Sequence, residues 1–431
     1  MIQHSGITKI YPIKLTLNKD FIISVLLIFA VDFLLEYYYT SYVVQYYQNL
    51  GLELKINILK YAESKLWLII FLLISYFLYR RSKFIYALNL FLLVFIFIPG
   101  HIMFSYSDGS RLVFYSIITF FVIFAIFSNI KFKIKTIYLG ETEKYYFLIF
   151  FSLILLIPII ADFKLNINTN VFALKDVYEV REVYKDNTSF FTSYFFNWSA
   201  KIVIPVILVF SLIRKNYLFF FFSATILIYL FLVSGHKSIY FTPVVMIFYY
   251  IFGKDYNDKI KLTLGFLLVF LILVSIPDYL MNNNNMFKSI FVRRVFFVPS
   301  LLNEFYFDFY KDSHLYLSHS IFSSFVDYNY DMSPAHIIAD VYFHKPKMNA
   351  NNGIISDGFM NFGYAGVVIY SLIFSLIFAV INSIKLNPKY FGLFVFYMLT
   401  FISSALLTVM LTHGFFLVLF FAFIILPLKK T

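Results

Sequence analysis

Apolar residues in this chain come in long blocks separated by short polar punctuation, and the blocks are too long and too evenly apolar for the interior of a soluble domain. A window of about 20 residues finds twelve candidate spans, at 21–40, 58–79, 84–104, 112–129, 145–160, 198–213, 217–233, 239–252, 262–276, 364–381, 390–410 and 412–428. The predicted fold is therefore all-α and integral to the membrane, with a single polytopic domain over 1–431. Two stretches interrupt the rhythm. One is a polar loop at 161–197. The other, 277–362 between the ninth and tenth spans, is expected to form a large loop with short helices. Short turns suffice to join membrane helices, so a connection of domain size marks the place where function is expected.

Composition sharpens this picture. The chain is 61% hydrophobic and 13% charged, with mean hydropathy +0.80, more apolar surface than a soluble protein of this length could hide. It has no cysteine, which excludes a disulfide frame or a thiolate metal site. No small-residue cleavage site follows Phe21, so the first span is expected to be a retained anchor. The 59 Phe and 36 Tyr could line a sugar site, or simply reflect codon bias, since lipid accepts Phe as readily as Leu. The net charge of +12 follows from topology without any nucleic acid. With a cytoplasmic N-terminus, the short inner segments and both termini carry 19 Lys/Arg against 5 Asp/Glu. That orientation puts 161–197, 277–362 and seven of the eight histidines on or near the outer face. An enzyme working there needs a donor that is already activated, and a lipid pyrophosphate is the obvious one.

Val177 to Arg181, followed by Trp198, Lys201 and Pro205, resembles the Wzy class of O-antigen and capsule polymerases. So do Ser234-Gly235-His236-Lys237-Ser238 in a tight turn, Arg293-Arg294 through Pro299, Tyr306 to Phe309, and the exit from Asn351 to Gly363. The resemblance covers roughly residues 175–380. It implies a bacterial cytoplasmic-membrane glycosyltransferase, with both termini inside, that needs neither metal nor cofactor. Its substrates would be undecaprenyl-pyrophosphate-linked oligosaccharides. The growing glycan would pass en bloc onto a newly flipped repeat unit. Membrane lipid and a chain-length regulator are the other partners it suggests. Family patterns stress arginines in two outer loops, and Arg181 and Arg293/Arg294 occupy the matching positions. A lipid-linked oligosaccharide flippase and an O-antigen ligase are the alternatives. A flippase should show two comparable halves with short connections, unlike this chain.

The chemistry needs cations for the diphosphate, a base for the acceptor hydroxyl and a groove for sugars. Arg181, Arg293 and Arg294 suit the first task, because guanidinium groups grip phosphate oxygens bidentately and stay charged. The alternative is pairing with nearby acids or headgroups. His236 and Lys237 could carry a proton and bind phosphate, or anchor to headgroups. Glu304 and Asp308, four apart on one helical face, could supply the base, or form a solvated acidic face. Asp32 and Glu36 lie at costly depth in the first span, either lining a cavity or fastening helices through Tyr or Lys. His314, His319, His336 and His344 lack metal-site spacing, and His319 remains a secondary base candidate. Asp357 and Asn361 could bind sugar hydroxyls, or belong to a helix entry with Gly363 and Gly366 packed on a neighbour.

Overall fold

The structure is a computed structural model that describes residues 18–137, 139–164, 177–236, 238–281 and 285–428. In chain order its helices are α1 (Lys19–Leu50), α2 (Ile58–Arg81), α3 (Lys83–Tyr106), α4 (Arg111–Phe127), α5 (Glu141–Phe163), α6 (Val177–Asn187), α7 (Phe190–Ile213) and α8 (Tyr217–Ser234). They continue as α9 (Ser238–Ile251), α10 (Tyr256–Leu280), α11 (288–309), α12 (Pro334–Phe343), α13 (Ile354–Asn382), α14 (Pro388–Ser403), α15 (Leu406–Met410) and α16 (Phe415–Ile424). Among the described residues the only extended pairings are two isolated bridges, Lys55 with Ser107 and Leu386 with Pro427.

Local chemistry sets many of these boundaries. The side chains of Asn18, Asn57, Ser82 and Ser110 accept the first free amides of α1 to α4. Gly51 and Gly235, both at positive φ, close α1 and α8.

Eight helices (α1, α2, α3, α5, α7, α8, α10 and α13) are long and apolar enough to cross a bilayer, and α4, α9, α14 and α16 are shorter apolar helices. Each overlaps one of the twelve blocks read from the sequence. Large apolar side chains stand exposed along the outward faces, among them Phe33, Phe150, Phe221 and Phe266. A water-soluble surface would not carry such patches on many helices at once. The chain is an all-α membrane protein. α3 is the central post, with 94% of its apolar window buried, whereas α10 buries 22% and lies at the periphery. The closest pairings are α4 with α13, α1 with α10, α7 with α8, and α9 with α14.

The polar loops are smaller than the hydropathy pattern suggested. α5 runs on to Phe163 and α7 begins at Phe190, which shortens the 161–197 connection at both ends. Within 277–362, α11 is no short loop helix. It is a 22-residue rod whose first half, Lys288–Phe297, has a π-type backbone. Phe296 stacks on Phe95 at 5.0 Å and Phe297 lies against Tyr39 at 5.0 Å, so the rod is wedged into the bundle. Polar residues on its other faces kept the window average low while one face stayed apolar.

Asp32 and Glu36 do fasten helices. Lys65 of α2 bonds both carboxylates, and His101 of α3 holds Asp32 at 2.8 Å through Nε2. Lys65→Met would leave buried acids without their cation and should lower stability by about 3–5 kcal/mol. Adding Asp32→Asn should restore part of that loss. Thermal unfolding of the detergent-purified variants measures both effects.

Candidate functional site

Three breaks in helical backbone converge at one end of the bundle. The first divides α13 at Phe362 and Gly363, where Gly363 has φ +61. A Cβ there would meet His314 Nε2 at 2.7 Å, so both torsion and space demand glycine. The leading segment of α13 folds back on the rest so closely that a Cβ on Gly366 would sit 1.9 Å from the Gly358 carbonyl oxygen. Gly366 thus packs against Gly358 within one helix, whereas Gly363 packs against His314 of the preceding segment. The carbonyls freed at the break are taken by Leu315 N–H on Met360 and Tyr316 N–H on Asn361.

The second break separates α14 from α15 at Ser404 and Ala405, both extended. The third, Leu411 to Gly414, precedes α16. The 10 residues of α16 rise roughly 15 Å from the end where Leu386 meets Pro427. That is half of a hydrocarbon core about 30 Å thick. The 390–410 block is thus split into α14 and α15, and α16 covers only the later part of the 412–428 block. Non-helical backbone at such depth is tolerated where it lines a cavity or is buried in protein.

A cavity of about 980 Å³ opens over these breaks. Its walls come from the start of α7, the 317–335 segment, Asn349 to Asn352, the leading part of α13, and 404–413. Aromatic rings (Phe190, Tyr194, Tyr306, Tyr328, Tyr370) alternate with hydroxyl and amide groups. Asp357 is the buried tie between walls. One carboxyl oxygen accepts the Leu406 amide at 2.7 Å, and the other accepts Asn361 Nδ2 at 3.0 Å. Asn361 Oδ1 in turn accepts the Leu317 amide at 2.9 Å. Asn352 also lines the cavity, 7% exposed, and its side chain turns to the Asp357 carboxyl as well.

Of the residues singled out from the sequence, Asp357, Asn361 and His319 meet at this cavity. His319 packs on Tyr328 at 4.8 Å, and burial lowers its pKa. The others lie elsewhere. Arg181 donates from Nε and Nη2 to the Gly235 carbonyl, both at 3.2 Å, and so fixes α6 on the α8–α9 turn. His236 sits in that turn beside Tyr184, its pKa lowered by burial and then by Arg181. Lys237 lies outside the described residues. Arg293 covers the Tyr46 ring at 5.0 Å and bonds Ser289, while Arg294 is exposed. The arginines of α6 and α11 therefore do not line the cavity: Arg181 is held by the α8–α9 turn, Arg293 by Tyr46 and Ser289, and Arg294 faces away into the surroundings. Adjacent positions on α11 diverge, which separates Arg293 from Arg294 as well.

Glu304 and Asp308 also part company. Asp308 is exposed, and its pKa is held down first by the Tyr342 hydroxyl at 2.7 Å and then by Lys311. Glu304 turns toward the start of α4 and accepts the Ser110 amide at 3.2 Å. Neither lines the cavity, so as bases for a substrate held there both are set aside.

Of two residues that sequence reasoning did not single out for chemistry, one reaches it directly and the other through the first. His413 lines the cavity, and Lys201 of α7 bonds its Nδ1 at 2.9 Å. A lone charge inside the 198–213 apolar block, near its start, was the available signal for Lys201. Comparison of the chain with protein-family models, curated proteins and solved structures finds no match.

Burial raises the Glu304 pKa from 4.5 to about 7. A carboxyl that keeps its proton longer when folded contributes stability fully at acid pH and loses it as pH climbs between those values. Stability should fall from pH 4.5 to about 7, and Glu304→Gln should flatten that slope in unfolding scans across the range.

Proposed function

We propose that this chain is an integral-membrane glycosyltransferase, an oligosaccharide repeat-unit polymerase of the Wzy kind. It would transfer the growing glycan from undecaprenyl pyrophosphate to a new lipid-linked unit at the outer face of a bacterial cytoplasmic membrane. The observation that carries this reading is the 980 Å³ cavity. Its volume is near the upper end of small-molecule sites, which suits an oligosaccharide better than one compact metabolite. Ring faces for sugar C–H surfaces alternate with amides and hydroxyls for sugar hydroxyls. The twelve-span topology, with both termini inside and 277–362 outside, belongs to the same proposal and is supported by the charge asymmetry of the short connections.

Within this reading the acceptor unit lies along the aromatic wall. Asp357 and His319 are the groups at hand to receive its hydroxyl proton. A second reading, the lipid-linked oligosaccharide flippase, draws support from the broken helices, since transporters also build mid-membrane sites from interrupted helices.

Glycans from a deletion strain separate the readings. Single repeats on the final acceptor support the polymerase, units trapped inside support the flippase, and long chains stranded on lipid indicate a ligase. In that strain, Asp357→Asn protein expressed at wild-type level should cut polymer by roughly 10²-fold or more. Asp308→Asn should support normal chain length. Normal polymer from both variants would remove the cavity as the site.

A further inference from the structure

Lys201 stands halfway along the 24 residues of α7, where a bilayer is driest. Its backbone lies in a π-type turn, Ser199–Val203, just before Pro205, a local widening that often accompanies function. Among the described residues no carboxylate pairs with it, and its hydrogen-bond partner is His413 Nδ1. A half-buried ammonium within an apolar helix and without a counter-ion is costly, whereas Lys65 of α2 is given two carboxylates.

The His413 loop is built for this contact. Gly414 has φ +76, and a Cβ there would meet Trp198 at 2.6 Å and Ile202 at 2.8 Å. Trp198 Nε1 donates to the Leu411 carbonyl at 2.8 Å, and the Tyr397 hydroxyl donates to the His413 carbonyl at 2.5 Å. These contacts hold the loop from both sides. An ammonium can only donate, so Nδ1 must accept and the imidazole proton belongs on Nε2. That N–H has Ser404 Oγ 3.5 Å away, at the edge of bonding distance, and it belongs to a residue lining the cavity.

We infer that Lys201 and His413 form an oxyanion subsite at the cavity wall, in which the half-buried ammonium polarises the imidazole and Nε2–H binds a phosphoryl oxygen of a pyrophosphate. Substrate supplies the counter-ion that the fold omits. The subsite rests on the proposed function for the identity of the anion as a lipid carrier's pyrophosphate. It explains how a chain whose Arg181, Arg293 and Arg294 do not line the cavity could hold a leaving diphosphate there. Ser404 lies between the two chemistries, because Leu406, two residues on, donates its amide to Asp357. The subsite is thereby placed beside the carboxyl that faces the acceptor.

Calorimetric titration of the full-length protein in detergent with inorganic pyrophosphate, and separately with farnesyl pyrophosphate, tests the site. Wild type should bind. Lys201→Met and His413→Phe should each weaken binding by roughly tenfold or more. Lys201→Gln keeps a donor to Nδ1 without the charge, and it should weaken binding as Lys201→Met does while unfolding at the wild-type temperature. His413→Gln places an amide N–H near Nε2 and should retain most of the affinity. Tighter binding of the farnesyl compound assigns the anion to a lipid carrier, and equal binding assigns it to free pyrophosphate; either supports the subsite. Wild-type affinity in folded Lys201→Gln, or no binding by wild type at millimolar pyrophosphate, overturns it. Neither titration contains sugar, so failure here leaves the polymerase reading to be judged on the glycans of the deletion strain.

Discussion

The carboxyl of Asp357 accepts one hydrogen bond from the backbone of Leu406 and another from the side chain of Asn361. Through these the broken helix α13 is tied to the break between α14 and α15, and Asn361 passes the tie on to the 315–317 turn. Inside a bilayer an interrupted helix exposes amides and carbonyls that no water reaches, and each must find a partner in the protein. Here the partners come from the other interruption and from one side chain. The breaks therefore depend on each other, and the space between them is the cavity. A straight α13 or a continuous 390–410 helix would fill that space.

Two kinds of buried charge give this bundle its polarity. The Asp32–Lys65–Glu36–His101 group joins α1, α2 and α3 and matches its acids with a cation of its own. It fastens the side of the bundle built on α3. Lys201 is satisfied only in part, by a neutral imidazole at the edge of the cavity. Other buried lysines are satisfied by backbone carbonyls instead, Lys259 by those of Tyr249, Phe252 and Gly253; Lys201 has a neutral ring.

Much of the architecture was legible because lipid imposes a simple rule. Hydrocarbon admits long apolar helices, so the blocks in the sequence coincide with helices in the structure, often to within a few residues at their ends. Glycines at 363 and 366 and the polar run before them marked a special helix entry. Asp357, Asn361 and His319 were drawn from that run and its preceding segment, and they meet. Arg181, Arg293, Glu304 and Asp308 were drawn from chemical type and resemblance, and each found a nearer partner.

By itself the sequence determined the class of protein, the places of its apolar helices and which polar residues sit at costly depth, because these follow from the transfer of side chains between water and lipid, position by position. Tertiary structure alone decided that 288–309 is a packed rod, that the 390–410 block is split, and that Lys201 meets His413 across 212 residues of chain. Those outcomes turn on which face of one helix meets which face of another, and on whether a backbone amide finds a partner far away in sequence. No local pattern encodes either.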